Sequence, residues 1–399
     1  MTRTTKLFAA AALGVLLGAS ACDNDTLNRP FGNVPIDPLF ERYVSMGNSI
    51  TAGFQSGGIN DSTQLQGYAA LLARAMRSPF FAPLMNRPGC PAPYTNVFTQ
   101  TRVAGGPTTC ALRKTQAVPP PYISNTAIPG AEVLDLYNNL DTASNANALT
   151  TFFLGGLTQA QMMQRARPTF VTVWIGNNDV LGAATSSTNG GDSTKVTPVA
   201  SFQTRYDALL DSVEAAGPRG VVLIGVANVT AIPFFSRGST YLGAKLANQL
   251  PPAMTVTANC APPRGDSVLV PFPFGAALVG AAAAGSPTTL DCTEIQTVQP
   301  AELVKLVTSV NAYNAFISGQ ATTRGWVYYN PNVALDSLLT VATAVRAFPL
   351  IGQPCTANPF GTAFSCDAVH PSAATHTLIA NKLREVINAA YSTAIPQIF

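Results

Sequence analysis

Tyr43-Val44-Ser45-Met46-Gly47-Asn48-Ser49-Ile50-Thr51-Ala52-Gly53 is the stretch whose reading decides the fold of this chain. A short apolar, β-prone run ends in a Gly-Asn turn that presents one serine, and a helix-like segment follows. A strand-to-helix turn of this kind lifts a serine Oγ out of a sheet and leaves backbone N–H groups near an oxyanion. By itself the stretch also reads as an ordinary turn with an incidental serine. The rest of the chain decides between the two.

Moving outward, apolar runs alternate with helix-like segments, the pattern of a parallel α/β sheet. Strands are expected at 43–46, 122–127, 169–175, 220–226 and 326–329. Helices are expected at 63–77, 131–138, 158–166, 199–215, 300–322 and 372–394. Phe170-Val171-Thr172-Val173-Trp174-Ile175 is almost continuously apolar, as a strand covered on both faces should be. The last helix is expected to start at Pro371, where a missing N–H costs nothing, and to carry an apolar stripe of Leu378, Ile379, Leu383, Val386 and Ile387.

Three further blocks fall at strand ends or before the last helix. Gly130 follows Asn125-Thr126-Ala127-Ile128-Pro129, Asn178 lies in Trp174-Ile175-Gly176-Asn177-Asn178-Asp179, and Asp367 and His370 lie in Cys366-Asp367-Ala368-Val369-His370-Pro371-Ser372. Ligands of open α/β sheets bind beyond the carboxyl ends of the strands, so topology gathers Ser49, Gly130 and Asn178 at one edge. Asp367 and His370 reach the same edge from the start of the last helix. A serine hydroxyl is a weak nucleophile until a base takes its proton, and His370 is placed to be that base. Asp367, three residues earlier in a turn, can bond the other imidazole nitrogen and fix its tautomer.

In that order the blocks resemble the SGNH/GDSL hydrolase family over roughly residues 42–390. The resemblance implies a serine esterase or lipase on a three-layer α/β/α flavodoxin-like fold, with a five-stranded parallel sheet and disulfide-pinned loop insertions. It also implies an oxyanion hole made by the Ser49 and Gly130 N–H groups and the Asn178 side-chain amide. One departure stands out: the family's name motif has Asp before the serine, and here it is Asn48, which keeps the shape and loses the charge.

Three residues could mislead. Gly265-Asp266-Ser267-Val268 imitates the name motif more closely than the block at Ser49 does, but a strand-like run follows it and no helix. His376 falls on the apolar stripe of the last helix and reads as a packing residue. Asp179 reads as a hydrogen-bond acceptor for the strand-edge loop.

The N-terminus reads as an export signal over 1–21. Arg3 and Lys6 precede an apolar run from Leu7 to Gly18, too short to span a bilayer, which needs roughly 20 apolar residues. Ala19-Ser20-Ala21-Cys22 resembles a lipobox, so Cys22 is the expected lipid attachment site, and 22–38 is the expected flexible tether. Ordinary secretion is the alternative. The catalytic domain is expected over 39–399, with insertions near 80–121, 182–198, 228–298 and 346–366. The apolar run at 268–285 has two readings, a subdomain core or a wall for an acyl chain.

Of the 7 Cys, six remain once Cys22 is set aside. They fall in three local pairs, Cys90–Cys110, Cys260–Cys292 and Cys355–Cys366, the most economical of 15 connectivities. No metal site and no cofactor are expected, since the chain has 2 His and lacks paired C-x₂-C spacing. Charged residues make up only 11% and the net charge is +3 with no basic run, which argues against nucleic acid as a partner. The expectation is therefore an exported, membrane-anchored lipoprotein of the bacterial cell envelope, acting on an ester substrate, either a lipid or an acylated glycan. The alternatives are an O-acyltransferase or deacetylase of envelope glycans, a thioesterase, or a binding lipoprotein on the same fold.

Overall fold

Four of the five runs expected as strands form them. The computed structural model of the protein describes residues 35–106, 113–114 and 119–399, and Pro38–Phe399 is one compact unit. Its central sheet has four parallel strands in spatial order β1 (Tyr43–Gly47), β2 (Phe170–Trp174), β3 (Gly220–Ile224) and β4 (Val327–Tyr329). Side chains alternate between two cores with the period of a strand. Val44, Met46, Val171, Val173, Val221 and Leu223 face one side, and Tyr43, Phe170, Trp174, Val222 and Ile224 face the other.

Helices cover both faces. The first core packs on α3 (Gln159–Ala166), α5 (Val199–Ala215) and α6 (Pro300–Thr323). The second packs on α2 (Tyr68–Met76) and α8 (Ala373–Tyr391). Three shorter helices, α1 (Ser49–Ala52), α4 (Asn178–Ala184) and α7 (Asn332–Leu339), follow the ends of β1, β2 and β4. The result is the expected α/β/α architecture.

The sheet has four strands and not the expected five. Residues 122–127 do lie along the free edge of β1, but they pair with it only around Ser45. The Ser45 N–H donates to the Ser124 carbonyl at 2.8 Å, and the Thr126 N–H donates to the Ser45 carbonyl at 3.0 Å. The ladder is incomplete because side chains take the flanking β1 donors on that edge, although the Ile128 N–H still donates to the Gly47 carbonyl at 3.2 Å. Ser78 Oγ accepts from the Tyr43 N–H at 3.2 Å, and Gln159 Oε1 accepts from the Gly47 N–H at 2.9 Å. Counting this segment as the second element along the chain gives the order 2-1-3-4-5, with its crossover point beside β1.

Other expectations need local correction. The helix expected at 63–77 is split at Gly67 into Asp61–Gln66 and α2, because His376 Nδ1 accepts the Tyr68 N–H at 3.2 Å and the backbone ladder is interrupted there. The helix expected at 131–138 is only a 3₁₀ turn, Leu134–Leu136. The N–H groups of Glu132 and Val133 go to the carboxylates of Asp135 and Asp179. The last helix does not begin at Pro371. Ser372 is its N-cap, accepting from the Thr375 N–H at 3.3 Å.

The insertion at 228–298 folds on its own small core of Tyr241, Met254, Val270 and Leu290, closed by the Cys260–Cys292 disulfide. The apolar run 268–285 is a strand, Leu269–Pro271, and a helix, Phe272–Ala283, of that subdomain. Its core reading holds, and the acyl-wall reading is set aside below. The Cys355–Cys366 disulfide is also formed. Cys22 and Cys110 lie outside the described residues.

Candidate active site

Gly47 ends β1 where no side chain fits. A Cβ there would come within 2.4 Å of the Trp174 carbonyl oxygen and 2.5 Å of Thr51 Oγ1. Asn48 follows as the N-cap of α1, its Oδ1 accepting from the Ile50 N–H at 3.1 Å. That explains why Asn suffices in this position: the cap needs an oxygen acceptor, and a neutral amide supplies one inside a site where Asn48 is fully buried. Ser49 is then the first residue of the helix, so its N–H has no intrahelical acceptor.

His370 Nε2 lies 2.8 Å from Ser49 Oγ, and His370 Nδ1 lies 2.8 Å from Asp367 Oδ2. Serine, histidine and aspartate are thus joined in the order the sequence suggested. The turn that brings this about has Ala368 in the left-handed region at φ 63°, packed against Phe272 and Phe360. The Phe54 ring lies 4.9 Å from the imidazole and limits its rotation.

Asp367 is held by donors from two directions. Its Oδ1 accepts from the N–H groups of Val369 and His370 at 3.0 and 2.9 Å and from Ser365 Oγ at 3.1 Å. Its Oδ2 accepts from the Gly57 N–H at 2.6 Å. Burial alone would raise its pKa. The adjacent His370 and these hydrogen bonds outweigh burial and hold the carboxyl at about 2. Asp367 is therefore ionised throughout the range in which imidazole titrates.

Ser56 joins the same clamp. Its N–H donates to Ser365 Oγ at 2.8 Å, and its Oγ accepts from the Cys366 N–H at 3.1 Å. The loop after α1 therefore grips the turn that carries the acid. Sequence reasoning missed Ser56, Gly57 and Ser365, because small polar residues in a loop carry no periodic signal.

Asn178 opens α4 beside the same site. Its Nδ2 donates to the Ala131 carbonyl at 2.8 Å, which leaves the second N–H of that amide uncommitted. Gly130 does not itself line the cleft at Ser49, but the turn it belongs to sits directly against Asn178. Asp179, fully buried, accepts from the Val133 N–H at 3.1 Å, so neighbouring residues hold this turn at two points. Burial, with Glu132 nearby, pushes the Asp179 carboxyl up to about 7. It is an acceptor for the loop, as the sequence suggested.

The two decoys separate cleanly. His376 is fully buried in α8 and stacks on Tyr68, and burial pushes its pKa down to about 3. Gly265–Ser267 is a 3₁₀ turn in the subdomain, and none of its residues lines the cleft at Ser49.

Ser49, His370 and Asn178 line one cleft that opens to solvent. Its other walls are mainly apolar, with Asn48, Asn177, Tyr329 and Thr375 the further polar side chains. The apolar walls come from Ala334, Leu335 and Leu338 of α7, from Val229 and Ile232 after β3, and from Leu378 of α8. No residue of 268–285 lines it, so the expected acyl wall is not there. The sequence did hold a signal for α7, an apolar pair three residues apart just beyond a strand.

Fold and site together define a carboxylic ester hydrolase of α/β/α architecture. The family model described as GDSL-like Lipase/Acylhydrolase matches residues 43–383, and the chain belongs to that family. No curated protein matches it in sequence. Among solved structures it is similar to a catalytic mutant of Axe2, an acetylxylan esterase from Geobacillus stearothermophilus. That likeness has 13% identity, covers 87% of this chain and 94% of the other, and has a TM-score of 0.40. It is also similar to phospholipase A1 from Streptomyces albidoflavus NA297, at 14% identity, 87% and 99% coverage and a TM-score of 0.40.

Proposed function

We propose that the protein hydrolyses carboxylic esters through an acyl-enzyme on Ser49. The observation that carries this reading is the hydrogen-bonded sequence Ser49 Oγ, His370 Nε2, His370 Nδ1, Asp367 Oδ2, with both contacts at 2.8 Å. As Ser49 Oγ bonds to the ester carbonyl carbon, its proton passes to His370 Nε2. The carbonyl oxygen becomes an oxyanion, received by the Ser49 N–H and the free N–H of Asn178, whose amide the turn of Gly130 holds through the Ala131 carbonyl. The C–O bond to the alcohol then breaks, and His370 returns the proton to the leaving alkoxide. Water repeats the cycle, giving its proton to His370 as it attacks the acyl-enzyme, and releases the acid and free Ser49. Asp367, ionised and fixed by Gly57, stabilises the imidazolium formed in each half.

An alkyl fluorophosphonate tests this directly. It should label Ser49 in the wild type, far less in His370→Ala, and nowhere in Ser49→Ala. Label on Ser267, or near-normal ester turnover by Ser49→Ala, would overturn the assignment.

The site operates, in this reading, at the bacterial envelope on a lipid anchor at Cys22. The support is Ala19-Ser20-Ala21-Cys22 behind a short apolar run that follows Arg3 and Lys6. Cys22→Ala should move the protein from the membrane to the soluble fraction. An unmodified Cys22 in mature protein, read by mass spectrometry, would refute the anchor.

A further inference from the structure

We infer that the ester's acyl group is a hydrocarbon chain, laid in the cleft against α7, and that Leu335 and Leu338 set its length. This rests on the ester-hydrolase reading above and narrows it. The reacting groups Ser49, His370 and Asn178 line the cleft. Beyond them the walls given by Leu335, Leu338, Val229, Ile232 and Leu378 are hydrocarbon, and Thr375 and Tyr329 are isolated polar groups among many apolar ones. A sugar lodged there would lose its water and gain few partners, which costs free energy for every unpaired hydroxyl. A methylene chain loses only unfavourable contact with water.

The acyl side fits this cleft better than the alcohol. The leaving alcohol must meet His370 Nε2 and then give its place to water, so its path has to stay open and wet. The acyl group remains on Ser49 through both halves of the reaction, and a dry groove can hold it throughout. Leu335 is nine-tenths buried, whereas Val333 and Leu339 of the same helix are 66% and 39% exposed. The helix thus turns its better-covered apolar face to the cleft. Leu338, further along that face and only part-buried, tolerates a larger side chain with less risk to folding.

The test uses the full chain and two series of esters. Ethyl esters run from acetyl to lauroyl, and acetates run from ethyl to octyl alcohol. Each methylene buried in the groove is worth about 0.8 kcal/mol, so kcat/KM should rise about fourfold per carbon along the acyl series until the groove is full. The alcohol series should stay nearly flat. In Leu338→Trp the ratio of octanoyl to acetyl kcat/KM should drop at least tenfold, with the optimum moved to shorter acids. Acetyl esters cleaved as well as or better than octanoyl esters would overturn the inference, while leaving the hydrolase reading intact. A rise along the alcohol series alone would place the hydrocarbon on the other side of the ester and overturn it too. Failure to cleave any ester, with no fluorophosphonate label, would remove the hydrolase reading itself. The wild-type series stands even if the tryptophan variant misfolds.

Discussion

The Gly57 N–H and His370 Nδ1 meet the same oxygen of Asp367, at 2.6 and 2.8 Å. Gly57 belongs to the loop that leaves the nucleophile's own helix, so the first and last parts of the site are tied together across 310 residues of sequence. Gly57 adopts φ +65°, and a Cβ on it would lie 2.4 Å from the Tyr94 ring. Gly57→Ala therefore has to displace the Tyr94 ring or the loop and strains the backbone that grips the carboxylate. Misplacement of this size costs about 10- to 100-fold in rate. The expected result is that loss in kcat with KM little changed. Asp367→Asn, which presents the wrong partner to His370, should cost about 10⁴-fold. If Gly57→Ala has normal kcat, the clamp is not needed for catalysis.

Asn178 makes a second, separable prediction. Its amide is held by Ala131 and offers its remaining N–H to the oxyanion. Asn178→Ala should lower kcat by about 10²–10³ with little change in KM, because the bond strengthens only in the transition state. A rise in KM at constant kcat would make it a substrate-binding residue instead.

How far the sequence carried this reading depends on what kind of interaction fixed each element. Strands and helices that bury an apolar face were legible: 199–215 is found as read, and 169–175 became Phe170–Trp174. The catalytic blocks were legible because topology sends strand ends to one edge. What failed were features set by single polar contacts between distant residues. Gln159 and Ser78 take donors from the ladder that would have made a fifth strand, His376 breaks a helix at Tyr68, and Asp179 and Asp135 draw in the turn after Gly130. No local pattern announces which N–H a distant side chain will take. The acyl-wall reading of 268–285 failed for a related reason: hydropathy shows that a run is buried but not against what.

The Cys355–Cys366 disulfide closes a loop spanning 11 residues beside Asp367. Replacing both cysteines by serine should lower stability by about 2–3 kcal/mol through the freed unfolded chain. Activity of the folded fraction should fall only a few-fold, since Ser56 and Gly57 still hold the turn. Denaturant melts and kcat on the same preparation separate the two effects. A loss of activity comparable to Asp367→Asn would show that the disulfide, and not the hydrogen bonds, positions the acid.

Two buried groups far from each other's chemistry give opposite pH dependences. His376 has its pKa depressed from 6.5 to about 3, chiefly by burial, with His370 adding to the effect. Between those values the unfolded chain binds a proton that the folded chain refuses. His376 therefore costs stability as pH falls from about 6.5 towards 3. Asp179 has its pKa raised from 3.8 to about 7, chiefly by burial and then by Glu132. Between those values the folded chain keeps a proton that the unfolded chain has released, so Asp179 costs stability as pH rises from about 4 to 7. Each slope approaches 1.4 kcal/mol per pH unit at most, and in the shared window the two oppose one another. Removing one should expose the other. Relative to wild type, His376→Gln should gain stability as pH falls through 6 to 4, by about 2–3 kcal/mol across that window. Asp179→Asn should gain relative to wild type as pH rises through 4 to 7. Urea melts of the three proteins at half-unit pH steps read both differences. If either difference is flat across its window, that group is not held in the folded protein in the neutral form that its burial requires.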